Sequence, residues 1–573
     1  MNSERKQKNY RRGQFSISSL LQATRKHLPL ILLSLAALIA AAVVIYFIAG
    51  PAEGYFHADC TDSILWAEAM YDSGKVFDED FNYAALLPFG ASVWLVPLIA
   101  LFGVSMKAHV AGMVIFALLF LLSTVLLVRR MKHSYAAAFG ISALLFLILS
   151  SSEKLREIMW NHVIYYSLGL LLYFFLLSLT FYSWDSLEKT DRKPILRFLP
   201  LVGLFVFTAL NATNGFQMLV LTVLPVCAAV FLERLFDRNT KLLSKKNIPP
   251  ILLLVAMVAG VLIGTVLLEF LLDGITSGYA SGYSRYSEPK EWADNVDKFF
   301  MNHLTLLGMD VTNKDALFDL KSIVNMLRIG VVFLLMAVPA AALACYKKIE
   351  SRYVRVLLLG HVFLFGFLFF GTVCGRLGAA NWRLVPLVGS AIVVSVAVIL
   401  EAWKHRKTAI TSVRLGVLVL IALSLLSLWN VKVITDMPAD HGRDNELHRL
   451  TSTLEKEGLS YGYATFWRSQ SITLLSDSRV KCREILVEGD NKDPLWGLKT
   501  DHYQSNLKWY EDQEGVSEYF VLLSKSEYNQ IAMSDYWLDL VDRAYVREFE
   551  AEGYVVFVFS DNIWGEEAGE RVY

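Results

Sequence analysis

The chain has 573 residues, 55% of them apolar, and carries 54 Lys and Arg against 54 Asp and Glu, with a mean hydropathy of +0.43. That is more apolar than a soluble globular protein, and the excess runs from Leu28 to about Val431, after which the chain turns polar. Zero net charge leaves nucleic-acid binding without support, and five scattered cysteines with no CxxC spacing argue against a disulfide framework.

Residues 1–27 form a basic N-terminus with Arg5, Lys6, Lys8, Arg11, Arg12, Arg25 and Lys26. The apolar run that follows is too long for a cleaved signal peptide and reads as a first transmembrane helix. Further spans are expected at 108–128, 134–151, 163–183, 198–213, 215–233, 250–272, 323–345, 354–373, 384–402 and 414–431, about eleven in all with 28–49. The stretch 84–105 is apolar too, but Pro88, Gly90, Pro97 and Gly103 suggest a re-entrant or interfacial element. Lys/Arg-rich loops at 129–133, 191–197, 233–246, 346–355 and 404–414 alternate with Lys/Arg-poor ones. Basic loops mark the cytoplasmic side. The N-terminus is therefore expected inside the cell, and loops 50–107, 152–162, 273–322 and 374–383 outside it. Counting 84–105 as a span would invert every later loop.

The expected architecture is an α-helical polytopic membrane protein, its transmembrane domain covering 28–431, with an extracytoplasmic α/β domain at 432–573. In that tail 444–458 reads as an amphipathic helix ending at a glycine, and 461–466, 518–523 and 553–559 read as strands.

The loops assigned to the outer face hold most of the unusual polar residues. In the first, GYFHADCTD brings His57, Asp59 and Asp62 together, and Asp78, Glu79 and Asp80 follow. Asp59 and Asp62 stand i, i+3 and share a face on a helical turn. Paired carboxylates at a membrane surface suit a general base with a second group that orients a nucleophile or holds a metal ion. The bland alternative is a solvated acidic loop, with Asp62 as N-cap of a helix that Gly74 ends. The segment EKLREIMWNHVIYY adds Glu157, Trp160, Asn161 and His162, and NATNGFQ adds Asn211, Asn214 and Gln217, which read more readily as a capped turn. Loop 273–322 is long enough to be a lid.

This arrangement resembles the GT-C class of polyprenyl-phosphate-sugar-dependent glycosyltransferases, which includes the protein O-mannosyltransferases and the lipid A aminoarabinose transferases. The resemblance is carried by ADCTD (58–62), SILWAEAMYDSGK (63–75), VFDEDFNY (76–83) and LLPFGASVWLVPLIALFGVS (86–105), all following the first span. It implies that Asp59 is the catalytic aspartate. The usual Asp-Glu pair is broken by Cys60, so Asp62 is the substitute, and Asp80 matches the second acidic position. It also implies a polyprenyl-phosphate-sugar donor reached from the membrane lipids and a glycan, glycolipid or protein acceptor, with sugar transfer by inversion. A cation should meet the leaving phosphate. Arg383, next to Trp382 in NWRLVP, is the first candidate, and Arg376, Arg285 and Lys107 are weaker ones. No His/Cys spacing suggests zinc; Asp59 and Asp80 are the expected ligands of any divalent ion. No Walker or GxGxxG motif opens a helix, so direct use of a nucleotide is not expected.

A lipid or polysaccharide transporter or flippase is the competing class, together with a non-catalytic surface-glycan assembly protein. Transporters place ionisable residues mid-membrane. Here those residues gather at one face, which favours an enzyme.

Overall fold

The computed structural model describes residues 17–191, 193–236, 244–272, 275, 285–310, 312, 316, 318–375, 377, 380–438, 444–488, 497–500 and 504–564, with side chains from residue 27 onward. The chain is a multi-pass α-helical membrane protein with a sheet-containing C-terminal region. Among the described residues ten helices are long and apolar enough to cross a membrane: His27–Ala49, Met106–Arg130, Tyr165–Glu188, Pro194–Ala212, Gly215–Phe236, Lys245–Leu271, Leu320–Ala344, Arg352–Val373, Asn381–Lys404 and Ile410–Thr435. Each matches one of the spans expected from run length.

The remaining expected span, 134–151, is different. Its helix covers only Tyr135–Ile148 and then bends by 120° into Glu153–Trp160. Three consecutive serines make the break. Ser150 Oγ donates back to the Phe146 carbonyl at 2.7 Å and accepts the Trp160 indole N–H at 2.8 Å. Ser152 Oγ caps the second helix by accepting from the Leu155 amide at 3.0 Å. Such side-chain bonds give the backbone an alternative to continuing the helix. The bend carries Glu157, Asn161 and His162 to the loop that follows the first span. The stretch 84–105 contributes only the short helix Ser92–Phe102, ended by Gly103.

Small residues set one close helix pairing. A Cβ on Gly264 would overlap the Ala209 carbonyl, and one on Gly260 would lie 2.8 Å from the Phe205 carbonyl oxygen. This four-residue glycine spacing lets Ile248–Leu271 lie against Pro194–Ala212, where no hydrophobic force between lipid-bathed helices would do so. At one end of the bundle ionisable residues are paired: Asp185 with Lys132, Arg352 and Tyr353, and Glu233 with Arg355 at 2.6 Å.

The C-terminal region is built on a six-stranded mixed sheet. Strand β1 (Phe81–Asn82) lies in the first loop; the others are β2 (Tyr461–Thr465), β3 (Lys481–Glu488), β4 (Gly497–Thr500), β5 (Ser505–Asn506), β6 (Tyr519–Ser524), β7 (Tyr545–Ala551) and β8 (Tyr554–Phe559). The sheet order is β4-β3-β2-β6-β8-β7, with β2 parallel to both β3 and β6. Its two faces bury separate apolar clusters, one around Tyr463, Trp537 and Phe559, the other around Leu454, Ile472 and Phe520. The expected amphipathic helix is Glu446–Lys456, capped by Asn445, and three expected strands are β2, β6 and β8. Strand β5 leaves this sheet and pairs antiparallel with β1. The C-terminal region is thereby stitched onto the first loop.

Candidate active site

The first loop folds as tight turns because its residues are small and partly buried. After Gly50 comes a 3-10 turn, Pro51–Tyr55, and after the extended Phe56 and His57 a second, Ala58–Thr61. Ala58, Cys60 and Thr61 face inward, and Thr61 Oγ1 donates to the Ala58 carbonyl at 2.6 Å. The chain then enters the helix Asp62–Ser73 directly. Asp62 is thus the first helical residue and not the N-cap expected from its type; Thr61 holds that position without a side-chain cap. A carboxylate there still meets the positive end of the helix dipole. Gly74, at φ 66°, ends the helix as expected.

The two aspartates differ sharply in surroundings. Asp62 is largely buried. Its Oδ2 lies 3.2 Å from His162 Nε2, and its Oδ1 accepts a 2.6 Å hydrogen bond from Gln504 Nε2. Burial pushes its pKa up, the nearby Asp59 charge adds to this, and the His162 and Gln504 bonds only partly offset it. Asp59 is half-buried, and among the described residues nothing hydrogen-bonds or ion-pairs with its carboxylate. One carboxylate is held and the other is available.

A second line of contacts starts at the same turn. His57 Nε2 lies 3.4 Å from Glu157, and Glu157 accepts 2.6 Å bonds from Lys154 Nζ. Lys154 Nζ sits 4.9 Å from the centre of the Trp382 ring. Trp382 and Arg383 belong to the 3-10 turn Asn381–Leu384, which leads into Val385–Lys404, and Arg383 is buried. Burial disfavours a charged His57, but the adjoining Cys60 and Glu157 outweigh it and push its pKa up to about 11. Burial likewise opposes the Glu157 charge, and the His57 and Lys154 bonds overcome it and hold that carboxyl below its usual range. Burial pushes the Cys60 thiol up.

Asn161 braces the turn. It is buried, its Oδ1 is 3.0 Å from His109 Nε2, and its Nδ2 lies 3.4 Å from the Ala52 carbonyl and 3.6 Å from Cys60 Sγ. From the C-terminal region, Trp467 stands 57% exposed with its ring 6.2 Å from that of His57.

Of the residues singled out in the sequence, the structure therefore brings together Asp59, Asp62 and His162, and His57 with Glu157, Asn161 and, through Lys154, Trp382. Other candidates are employed elsewhere. Asp80 pairs with Lys508 at 2.8 Å, and Asp78 is buried against Asn506 at 2.9 Å. Asn214 clamps both backbone groups of Phe89 at 3.0 Å, Asn211 bonds Thr222, and Gln217 bonds the Tyr166 hydroxyl. Trp160 is a core residue. Lys107 and Arg285 are exposed, and among the described residues no hydrogen bond or ion pair joins either to the cluster. Arg376 and part of the expected lid 273–322, chiefly 276–284, lie outside the described residues. No three His, Cys, Asp or Glu side chains gather to hold a metal ion among the described residues. Four participants were not singled out in the sequence: Lys154, His109, Trp467 and Gln504. Only Lys154, three residues before Glu157, carried a local signal.

Below the Arg383 turn, an apolar cleft of about 370 Å3 opens between helices, lined by Leu335, Met336, Phe365, Leu387 and Val388 with His303 among them.

No protein-family model matches the chain, and no curated protein matches it. Among solved structures, the chain is similar to ArnT from Cupriavidus metallidurans bound to undecaprenyl phosphate, at 12% identity over 92% of this chain and 97% of that one, with a TM-score of 0.49. It is also similar to the archaeal oligosaccharyltransferase AglB from Archaeoglobus fulgidus in complex with an inhibitory peptide and a dolichol-phosphate, at 13% identity over 94% of this chain and 74% of that one, with a TM-score of 0.45.

Proposed function

We propose that the chain is a membrane glycosyltransferase of the GT-C type, moving a sugar from a polyprenyl-phosphate carrier to a hydroxyl acceptor on the extracytoplasmic side. The observation that carries this reading is the pairing of an unengaged carboxylate, Asp59, with a line of contacts that leads to cations. From the same turn it runs through His57, Glu157 and Lys154 to Trp382, the neighbour of the buried Arg383.

The chemistry follows from those placements. The acceptor hydroxyl loses its proton to Asp59, and its oxygen attacks the anomeric carbon on the face opposite the phosphate. The C1–O bond to the lipid phosphate breaks with inversion. The leaving group is a phosphate monoester carrying the charge, and Arg383 and Lys154 are the cations to stabilise it. The apolar cleft beside Leu387 and Val388 lies along the helix that follows the Arg383 turn, which suits an isoprenoid chain whose phosphate stays at the polar end. Asp62, held by His162 and Gln504, stays beside Asp59 and fixes the polar surroundings of the base. Basic loops at the other end of the bundle support a cytoplasmic position for it.

Asp59→Asn is expected to lower kcat for transfer from a polyprenyl-phosphate-sugar by at least about a hundredfold while the protein remains folded in detergent. Full activity in that variant would remove Asp59 as base. Transfer from a nucleotide sugar with no lipid carrier present would overturn the donor class.

A further inference from the structure

Gln504 is a residue of the C-terminal region that hydrogen-bonds directly to the acidic motif. It is buried, and its backbone adopts φ 58°, a left-handed conformation that strains a side-chain-bearing residue. The strain is held by the pairing that begins at Gln504 and continues after it. The Gln504 amide donates to the Asn82 carbonyl at 2.7 Å, and the next two residues pair with β1. Further along, the Asn506 side chain donates to Asp78, the Leu507 amide to the Asp80 carbonyl at 3.0 Å, and Lys508 pairs with Asp80.

The direction of the side-chain amide is fixed by chemistry. The indole N–H of Trp66 can only donate, and it meets Gln504 Oε1 at 2.7 Å. The other end of the amide is therefore its NH2 group, which points at Asp62 Oδ1, 2.6 Å away. A donor aimed at a carboxylate favours the ionised form and fixes its plane. The groups that face Asp62 are Gln504 from the C-terminal region, His162 from the turn after Glu153–Trp160, and Asp59 from the preceding 3-10 turn.

We infer that Gln504 is a positioning residue, through which the C-terminal region completes the catalytic centre by orienting Asp62 next to Asp59 and easing its ionisation. The inference rests on the glycosyl-transfer reading for its effect on rate, but not for its effect on Asp62 itself. Gln504→Met keeps the side chain's length and removes the donor.

The test is an infrared pH titration of the full-length protein in detergent, following the protonated-carboxyl band that disappears in Asp62→Asn. In Gln504→Met the midpoint is expected to rise by about one pH unit or more, since the carboxylate loses a hydrogen bond that favours its charged form. The acidic limb of kcat against pH should move by the same amount while KM stays within about twofold. An unchanged midpoint overturns the inference. If Gln504→Met does not fold, Trp66→Phe carries the test: without the indole donor the amide is free to turn, and the midpoint should rise in the same direction. Again, no change overturns it. A raised midpoint in a protein whose wild type transfers no sugar from a lipid carrier leaves the Gln504–Asp62 bond standing and removes the glycosyl-transfer reading.

Discussion

At the scale of single residues, the site is a set of charges whose states are fixed by partners. The His57–Glu157–Lys154 group has a defined pH signature. His57 is raised above its ordinary 6.5 to about 11, so the stability it contributes is fully present below about 6.5 and is lost as pH rises towards 11. Glu157 is lowered from its ordinary 4.5, so its contribution is present above 4.5 and is lost as pH falls below it. Thermal unfolding of the detergent-solubilised protein should therefore show a stability maximum on the acid side of neutrality. Glu157→Gln should lower that maximum by about 2 kcal/mol and flatten the alkaline decline. An unchanged profile would mean the pair contributes nothing to the fold. At this scale the sequence was half legible. Asp59, Asp62, His57, Glu157 and His162 stand out as polar residues in loops between apolar runs. Gln504 does not, because its partners Trp66 and Asp62 lie more than 430 positions away in the chain and no local pattern announces that contact.

At the scale of elements, run length against bilayer thickness explains why the spans were readable: a helix that must bury about 20 residues in lipid leaves an unmistakable apolar run. The kink at Ser150–Ser152 was not readable, because serines bond backbone carbonyls as well inside helices as at their ends. Strands β3, β4 and β7 were missed for a related reason. The alternation that marks a strand is blurred by charged residues in KCREILVE and YVREFEA. Helix packing yields its own prediction. Gly264→Ala would drive its methyl into the Ala209 carbonyl and should cost about 1–3 kcal/mol or displace the helix. Gly330→Ala, where a Cβ meets nothing within 4 Å, should be neutral or slightly stabilising. Thermal melts of the two variants side by side check this, and equal melts would contradict the close approach.

At the scale of the whole molecule, the C-terminal region is bound to the first loop by more than a linker. Besides the β1–β5 pairing, the guanidinium of the buried Arg483 lies 3.5 Å from Glu68 on the helix Asp62–Ser73 and stacks 3.9 Å over the Trp509 ring. Burial raises the pKa of Glu68 against the pull of Arg483, so the pair stands or falls together. Removing one partner of a buried pair is costlier than replacing both. Arg483→Ala should destabilise by about 3–5 kcal/mol, and Arg483→Met with Glu68→Gln by clearly less. Differential scanning fluorimetry of the two variants decides it; equal losses would mean the charge pair itself is not what is being disturbed. The sidedness read from basic loops predicts that a single cysteine placed on the exposed surface of the C-terminal region is labelled from outside intact cells by a membrane-impermeant maleimide.

The central claim is that Asp59 is the base for sugar transfer from a lipid-phosphate carrier, and the most direct measurement is transfer by purified Asp59→Asn protein in liposomes with a radiolabelled polyprenyl-phosphate-sugar. The account predicts that wild type transfers label and that Asp59→Asn loses it by at least about a hundredfold while melting at the same temperature. Equal transfer by both proteins would contradict it.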